Sequence, residues 1–445
     1  MKKTAHITVL CFALLLMFAS QGWSQSSPAE AFKNVTIHTA DGNTIESGTV
    51  VWRNGVITNV GSDVAIPFDA YVHDGGDSLH VYPGFIDGHA LWGSPDLDED
   101  VKTPDEPGNP DYGRAGIQPE RQPSELLQVE GKSLADAPKR GFTAAALALK
   151  GQMLPGQVDL FFINDKETEN LLLQQGVGLT AQFEEAQGQA YPSTTMGVMS
   201  QFRQLFNEAK ALQQQEQYFA SVSSNYPAPK QNKVLEALYP VMDSQQPFYF
   251  VVDTKENIER VLGLQDELGF EVVVISGKEA YKKADELKKR DIPVLVSIDL
   301  PEEPKWRSKE DDEDQPEITD EMRIFRDKQE AAYKADIQNI AKLIESGVKV
   351  GFASNGLELA DISKNLTVLK EEGNLEDEDL LRMLTQSTAD ILGYGNRLGD
   401  VAEGRIASFT VFNKPFMKEK AQALFSVTDG NLIEFEQESS EEQEL

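Results

Sequence analysis

From Pro83 onward the chain repeats one texture, in which short, nearly continuous apolar runs are separated by stretches of helical periodicity. The runs are Gly84–Gly88, Thr143–Leu149, Val158–Ile163, Leu179–Phe183, Phe248–Val252, Val272–Ser276, Pro293–Ile298 and Val350–Ala353. Between them Leu126–Arg140, Met199–Gln217, Lys255–Leu268, Lys278–Arg290 and Glu321–Ser346 space apolar residues three and four apart. Strands apolar on both faces must be covered on both faces, and when helices link them the sheet is parallel. Eight runs predict an α/β fold of the TIM-like (β/α)8 barrel type. A doubly wound open sheet is the competing pattern, and Val158–Ile163 also reads as a hairpin inserted in a loop. Lys102–Gln122, rich in Pro and Gly, reads as a long loop over one end of the barrel.

Both flanks of this region are β in character. Phe32–Thr39 alternates, Asp41-Gly42 makes a turn, and Gly48–Arg53 returns to the Asn54-Gly55 hairpin signal ahead of Val56. After a helix over Asp377–Gln386, strand-like runs follow at Ala407–Phe412, Ala423–Val427 and Asn431–Phe435. The simplest packing joins the flanks into one small β-sandwich beside the barrel. The predicted organisation is a signal peptide over 1–24, sandwich strands over 25–82 and 396–436, the barrel over 83–395, and an acidic tail over 437–445.

The signal peptide rests on Lys2 and Lys3, the apolar Ile7–Phe18 and the small-x-small Gly22-Trp23-Ser24. This apolar run is shorter than the roughly 20 residues a bilayer requires, and no later segment reads as transmembrane. The expectation is a bacterial periplasmic or secreted protein. Cys11, the only cysteine, leaves with the signal, so the mature chain has neither disulfide nor thiolate ligand. Against 41 Lys and Arg stand 73 Asp and Glu, a net charge of −32. Such a surface repels nucleic acid and anionic lipid, which require clustered cations. The acid runs at Lys309–Glu321 and Glu434–Glu444 read as solvated faces.

Tyr82-Pro-Gly-Phe-Ile-Asp-Gly-His-Ala-Leu resembles the first barrel strand of the amidohydrolase superfamily, Pro-Gly-Phe-(Ile/Val)-Asp-x-His-x-His. Leu384-Thr-Gln-Ser-Thr-Ala-Asp-Ile-Leu-Gly, followed by Arg397–Phe412, resembles that superfamily's passage from the last helix back into the sandwich. The middle is similar to the subgroup related to imidazolonepropionase and dipeptide-cleaving members. It shows this in Gly151-Gln-Met-Leu-Pro-Gly-Gln, Tyr191-Pro-Ser-Thr-Thr-Met-Gly with Arg203-Gln204, and Gly277–Tyr281. The resemblance implies a barrel whose strand ends hold one or two divalent metals that activate water against an amide, lactam or dipeptide bond. It implies two histidines on strand 1, one each on strands 5 and 6, and an aspartate on strand 8.

The chain departs from that pattern at most of these positions. His89 stands at the first histidine position, but the second is Leu91. Val251 stands on the fifth strand, Ser276 and Gly277 on the sixth, and Asn355 at the aspartate position. The other four histidines are His6 in the signal and His38, His73 and His80 ahead of the barrel. The sequence therefore predicts no intact metal site and no cofactor, with Asp87 and His89 the only remnants. The reading is a catalytically degraded homologue that binds a small-molecule ligand or pairs with an active homologous amidohydrolase subunit. The alternative is an active hydrolase of carbon–nitrogen bonds with a reduced Zn or Mn site. Candidate pocket residues are His89, Trp92, Arg203 and Asn355. Asp87 can instead satisfy backbone donors, Arg203 can instead form a surface ion pair, and Trp92 can instead pack under the long loop. Gly151–Gln157 lacks the Gly-Lys-Ser/Thr of a phosphate loop, and Ser193-Thr194-Thr195 has no histidine partner in sight.

Overall fold

The computed structural model describes residues 27–98, 100–128, 132–164, 171–222, 227–307 and 319–436. The predicted signal peptide and acidic tail, and most of the acid run at 309–321, lie outside the described residues.

All eight apolar runs form strands of one sheet: β6 (Phe85–Ala90), β7 (Phe142–Leu147), β8 (Gly156–Phe162), β9 (Leu172–Gln182), β10 (Phe248–Val252), β11 (Val272–Ser276), β12 (Val294–Val296) and β13 (Val350–Phe352). They follow one another in chain order. The sheet closes toward a barrel where β13 returns to β6, since the Asn355 amide donates to His89 O at 3.0 Å. Gly88 permits this approach. A Cβ there would lie 2.7 Å from a Leu295 methyl carbon and 2.9 Å from Phe352 O.

The sheet departs from an eight-fold parallel barrel at β8, which runs antiparallel to both β7 and β9. Residues 148–155 are too few for the helical crossover a parallel neighbour needs, so the chain turns straight back. The other barrel pairs are parallel. Long helices over Thr195–Val222 and Lys255–Leu268 pack outside, the second capped by Thr254. Leu126–Arg140 is not one helix. It is broken into Pro123–Leu126, Lys132–Asp136 and a 3-10 turn at Pro138–Arg140, where Pro138 has no amide to donate. The 102–122 segment is a loop held to the β7–β8 connection by Ile117 beside Leu154 and by Arg121 on Lys150 O and Pro155 O.

Both chain ends build a second sheet. Its strands are β1 (Glu30–His38), β2 (Thr44–Arg53), β3 (Val56–Gly61), β4 (Tyr71–Asp74), β5 (His80–Pro83), β14 (Phe409–Phe412), β15 (Ala423–Thr428) and β16 (Asn431–Glu434). In place of two facing sheets, one mixed ladder runs β16-β15-β14-β5-β1-β2-β3, with β4 also on β1. The join is β5, parallel to β1 and antiparallel to β14. The ladder curls until its ends meet, where Trp52 Nε1 donates to Gly430 O at 3.0 Å. Phe32, Trp52, Val81, Phe409 and Val427 fill the space enclosed. Asn54 and Gly55, at φ 51° and 79°, make the predicted hairpin turn. β5 leads through Gly84 directly into β6, so the small sheet fixes where the first barrel strand starts. No helix of the described residues is long and apolar enough to cross a membrane.

Candidate functional site

The C-terminal ends of barrel strands converge on one face, where such folds carry their chemistry. β6 brings Asp87 and His89 there, and the segment after β13 brings Ser354 and Asn355. The end of β13 is pinned from outside by Thr388, whose Oγ1 accepts from Phe352 N at 2.8 Å.

Asp87 is fully buried and spent on the backbone. Its Oδ1 accepts from His89 N at 3.0 Å and from Ser354 N at 3.0 Å, and its Oδ2 lies 3.2 Å from the same Ser354 amide. The carboxylate thus bridges strands β6 and β13. Burial pushes its pKa up to about 6, against the relief these donors provide.

His89 is 1% exposed and reaches across the barrel. Its Nε2 lies 3.3 Å from Thr180 Oγ1 on β9, and its ring lies beside Tyr249 on β10. Burial lowers its pKa to about 4, with a smaller opposing pull from the Asn355 side chain. Its Nδ1 is buried without a full hydrogen bond among the described residues. Ser354 Oγ, whose hydroxyl helps to hold the Asp87 pKa down, and Trp92 Nε1 are likewise buried without a full hydrogen bond among the described residues. The uncharged state of His89 has a direct check. Its ring signals in a two-dimensional NMR titration are expected to move only below about pH 5, whereas an ordinary histidine titrates near 6.5. A midpoint near 6.5 would contradict the burial described.

Trp92 is packed edge-on against Phe142, ring centroids 5.4 Å apart, so its aromatic neighbour is a barrel residue. Arg203 was a candidate for the pocket or for a surface ion pair. Its Nε and Nη2 bind the two carboxylate oxygens of Glu267 at 2.5 and 2.9 Å, tying together the outer helices Thr195–Val222 and Lys255–Leu268. Of its two readings the molecule adopts the ion pair, which consumes the guanidinium fork.

Thr180, Tyr249 and Ser354 were not singled out from sequence. A lone hydroxyl inside an apolar strand, as in Leu179-Thr180-Ala181, is the available signal, because a buried polar group needs a partner. Lys278 follows β11 and pairs with Asp299 after β12 at 2.6 Å, with Asp253 after β10 at 3.9 Å. These charges flank the cluster at the strand ends. Two of those ends are bent into the left-handed region, at Ser276-Gly277 (φ 74° and 56°) and Asn355-Gly356 (φ 45° and 94°). For non-glycine residues such backbone costs about 1–3 kcal/mol and concentrates at functional sites.

Of the metal-ligand positions that the superfamily resemblance implies, only the first holds a histidine, His89. Leu91 and Val251 have no lone pair to offer, Asn355 is neutral, and Asp87 is committed to two amides. Among the described residues no three His, Cys, Asp or Glu side chains come together as a metal-holding group.

The Amidohydrolase family model matches residues 318–433. No curated protein matches the chain. Among solved structures, an amidohydrolase from Thermotoga maritima MSB8 is 21% identical, covering 91% of this chain and 99% of its own, with a TM-score of 0.73. A prolidase solved with N-methylphosphonate-L-proline is 16% identical over 92% of this chain and 100% of its own, with a TM-score of 0.54. A. niger ochratoxinase is 11% identical over 92% of this chain and 96% of its own, with a TM-score of 0.50. The family match is thus confined to residues 318–433, and over the rest of the chain the likeness to the solved amidohydrolases is one of fold.

Proposed function

We propose that this is an exported ligand-binding protein on an amidohydrolase barrel, working without metal chemistry. The observation that carries the reading is that His89 Nδ1 and Ser354 Oγ, buried at the ends of β6 and β13, hold no full hydrogen bond among the described residues beyond their interactions with the Asn355 and Asp87 side chains, and that Trp92 Nε1 is buried without a partner there too. Each unsatisfied group costs about 1–3 kcal/mol, which a ligand supplying the missing bonds recovers. The groups are all neutral, and Asn355 beside them is neutral too. The ligand they suit is a small uncharged polar molecule presenting an amide- or lactam-like carbonyl. The indole N–H donates only, the hydroxyl donates or accepts, and the imidazole does either according to tautomer. The export half of the reading rests on the Lys2-Lys3 and Ile7–Phe18 signal.

Calorimetry and thermal shift with a panel of lactams, N-acyl amides and dipeptides test it. At least one compound is expected to stabilise the protein without being consumed, and its effect should disappear in Ser354→Ala and His89→Ala. Turnover of any panel member that a chelator abolishes would overturn the proposal and establish the alternative, an active hydrolase with a reduced metal site.

A further inference from the structure

Away from the barrel, the small sheet holds two imidazoles side by side. His38 closes β1 and His80 opens β5, on strands paired in parallel with Thr36 opposite His80. Nε2 of His38 lies 3.1 Å from Nδ1 of His80, and the rings are tilted by 25° with centroids 5.4 Å apart. The Tyr82 ring lies flat on His38, centroids 4.1 Å apart and planes within 1°. On the far side Thr44 Oγ1 is 3.4 Å from His38 Nδ1.

We propose that His38 and His80 are a two-imidazole clip for a divalent transition metal ion such as Zn2+, Cu2+ or Ni2+. The spacing is the first ground. Two nitrogens bound to one ion at about 2.0–2.1 Å are separated by roughly 2.9 Å at a right angle and roughly 3.4 Å at the tetrahedral angle. The observed separation lies between these limits. The second ground is tautomer control. The N–H···N contact between the rings requires one to donate and the other to accept, so the facing proton must leave for an ion to enter. On His38 it can move to Nδ1, where Thr44 Oγ1 is placed to accept it. On His80 the other nitrogen, Nε2, can carry it. No proton is released, and Thr44 takes the part of the outer hydrogen-bond acceptor that orients a ligating histidine. The third ground is pre-organisation, because Tyr82 holds the His38 ring in place. Among the described residues no third His, Cys, Asp or Glu joins the pair. Water completes the coordination, and binding is weaker than at a four-ligand structural site. A bound ion would tie β1 to β5, the strand that runs into β6 with Asp87 and His89.

The test uses the mature full-length protein, stripped with chelator and titrated with ZnCl2, CuCl2 and NiCl2 by calorimetry and thermal shift. A single ion per chain is expected to bind and raise the melting temperature. H38Q and H80Q should each weaken binding by more than about tenfold, and T44V by up to about tenfold. No uptake by the wild type, or undiminished uptake by H38Q and H80Q, would overturn the proposal. Should the glutamine variants fail to fold, the wild type still decides. Substoichiometric Ni2+ or Cu2+ must broaden the His38 and His80 ring signals first, and broadening that begins elsewhere refutes the clip.

Discussion

Asp87→Ala is expected to cost the fold about 3 kcal/mol, well above the loss a typical surface substitution produces. The carboxylate is the acceptor for two buried amides, His89 N and Ser354 N, on strands that meet without a continuous ladder. Removing it strands both donors, at about 1–3 kcal/mol each. Part of this is offset because the wild type must keep a carboxylate buried, which is why its pKa is pushed up to about 6. The sign of the pH dependence follows. The folded value lies above the unfolded 3.8, so the group's stabilising contribution is complete below about pH 4 and declines as pH rises through 6. The gap between wild type and Asp87→Ala should therefore be wider at pH 5 than at pH 8. Urea denaturation at both pH values checks this. An equal or reversed gap would mean that Asp87 is not the buried bridge between β6 and β13.

How much of this was legible in the sequence depended on how local each feature is. Phe248–Val252 and Val272–Ser276 were read to the residue because a strand buried on both faces is an uninterrupted apolar run. The direction of β8 was not, since parallel and antiparallel strands buried on both faces look alike. Only the shortness of the 148–155 connection distinguishes them. Curling of the small sheet was likewise hidden, because Trp52 and Gly430 become neighbours only when the two chain ends pair. Asp87, His89 and Asn355 were named from two motifs, and adjacent strands bring them together. Thr180 and Tyr249 were not, because they face His89 across the barrel and closure alone brings them there. The ion pair of Arg203 was one of its two readings, but nothing near it in sequence announces Glu267 as the partner.

Whether the inherited ligand positions were assigned correctly can be decided by restoring them. Leu91→His combined with Asn355→Asp is expected to create a zinc site at the barrel mouth where the parent has none. A catalytic zinc needs three protein ligands, and the double variant supplies His89, a histidine at 91 and an aspartate at 355. The three positions are neighbours: the Asn355 amide donates to His89 O, and a Leu91 methyl lies 3.6 Å from where a Gly356 Cβ would be. The backbone at 355 already has a left-handed φ of 45°, which aspartate tolerates better than most residues. The comparison is best made in an H38Q background, so that ions held by the small sheet do not count. There, elemental analysis after dialysis against dilute chelator should find close to one Zn2+ per chain in the restored protein and essentially none in its parent. Retention should collapse again on adding His89→Ala. If the parent itself retains the ion, and loses it with His89→Ala, the barrel holds a metal through residues other than those named. The ligand-binding reading then gives way to a reduced-metal hydrolase. If neither protein retains it, the strand register that places Leu91 and Asn355 beside His89 is the assignment to abandon.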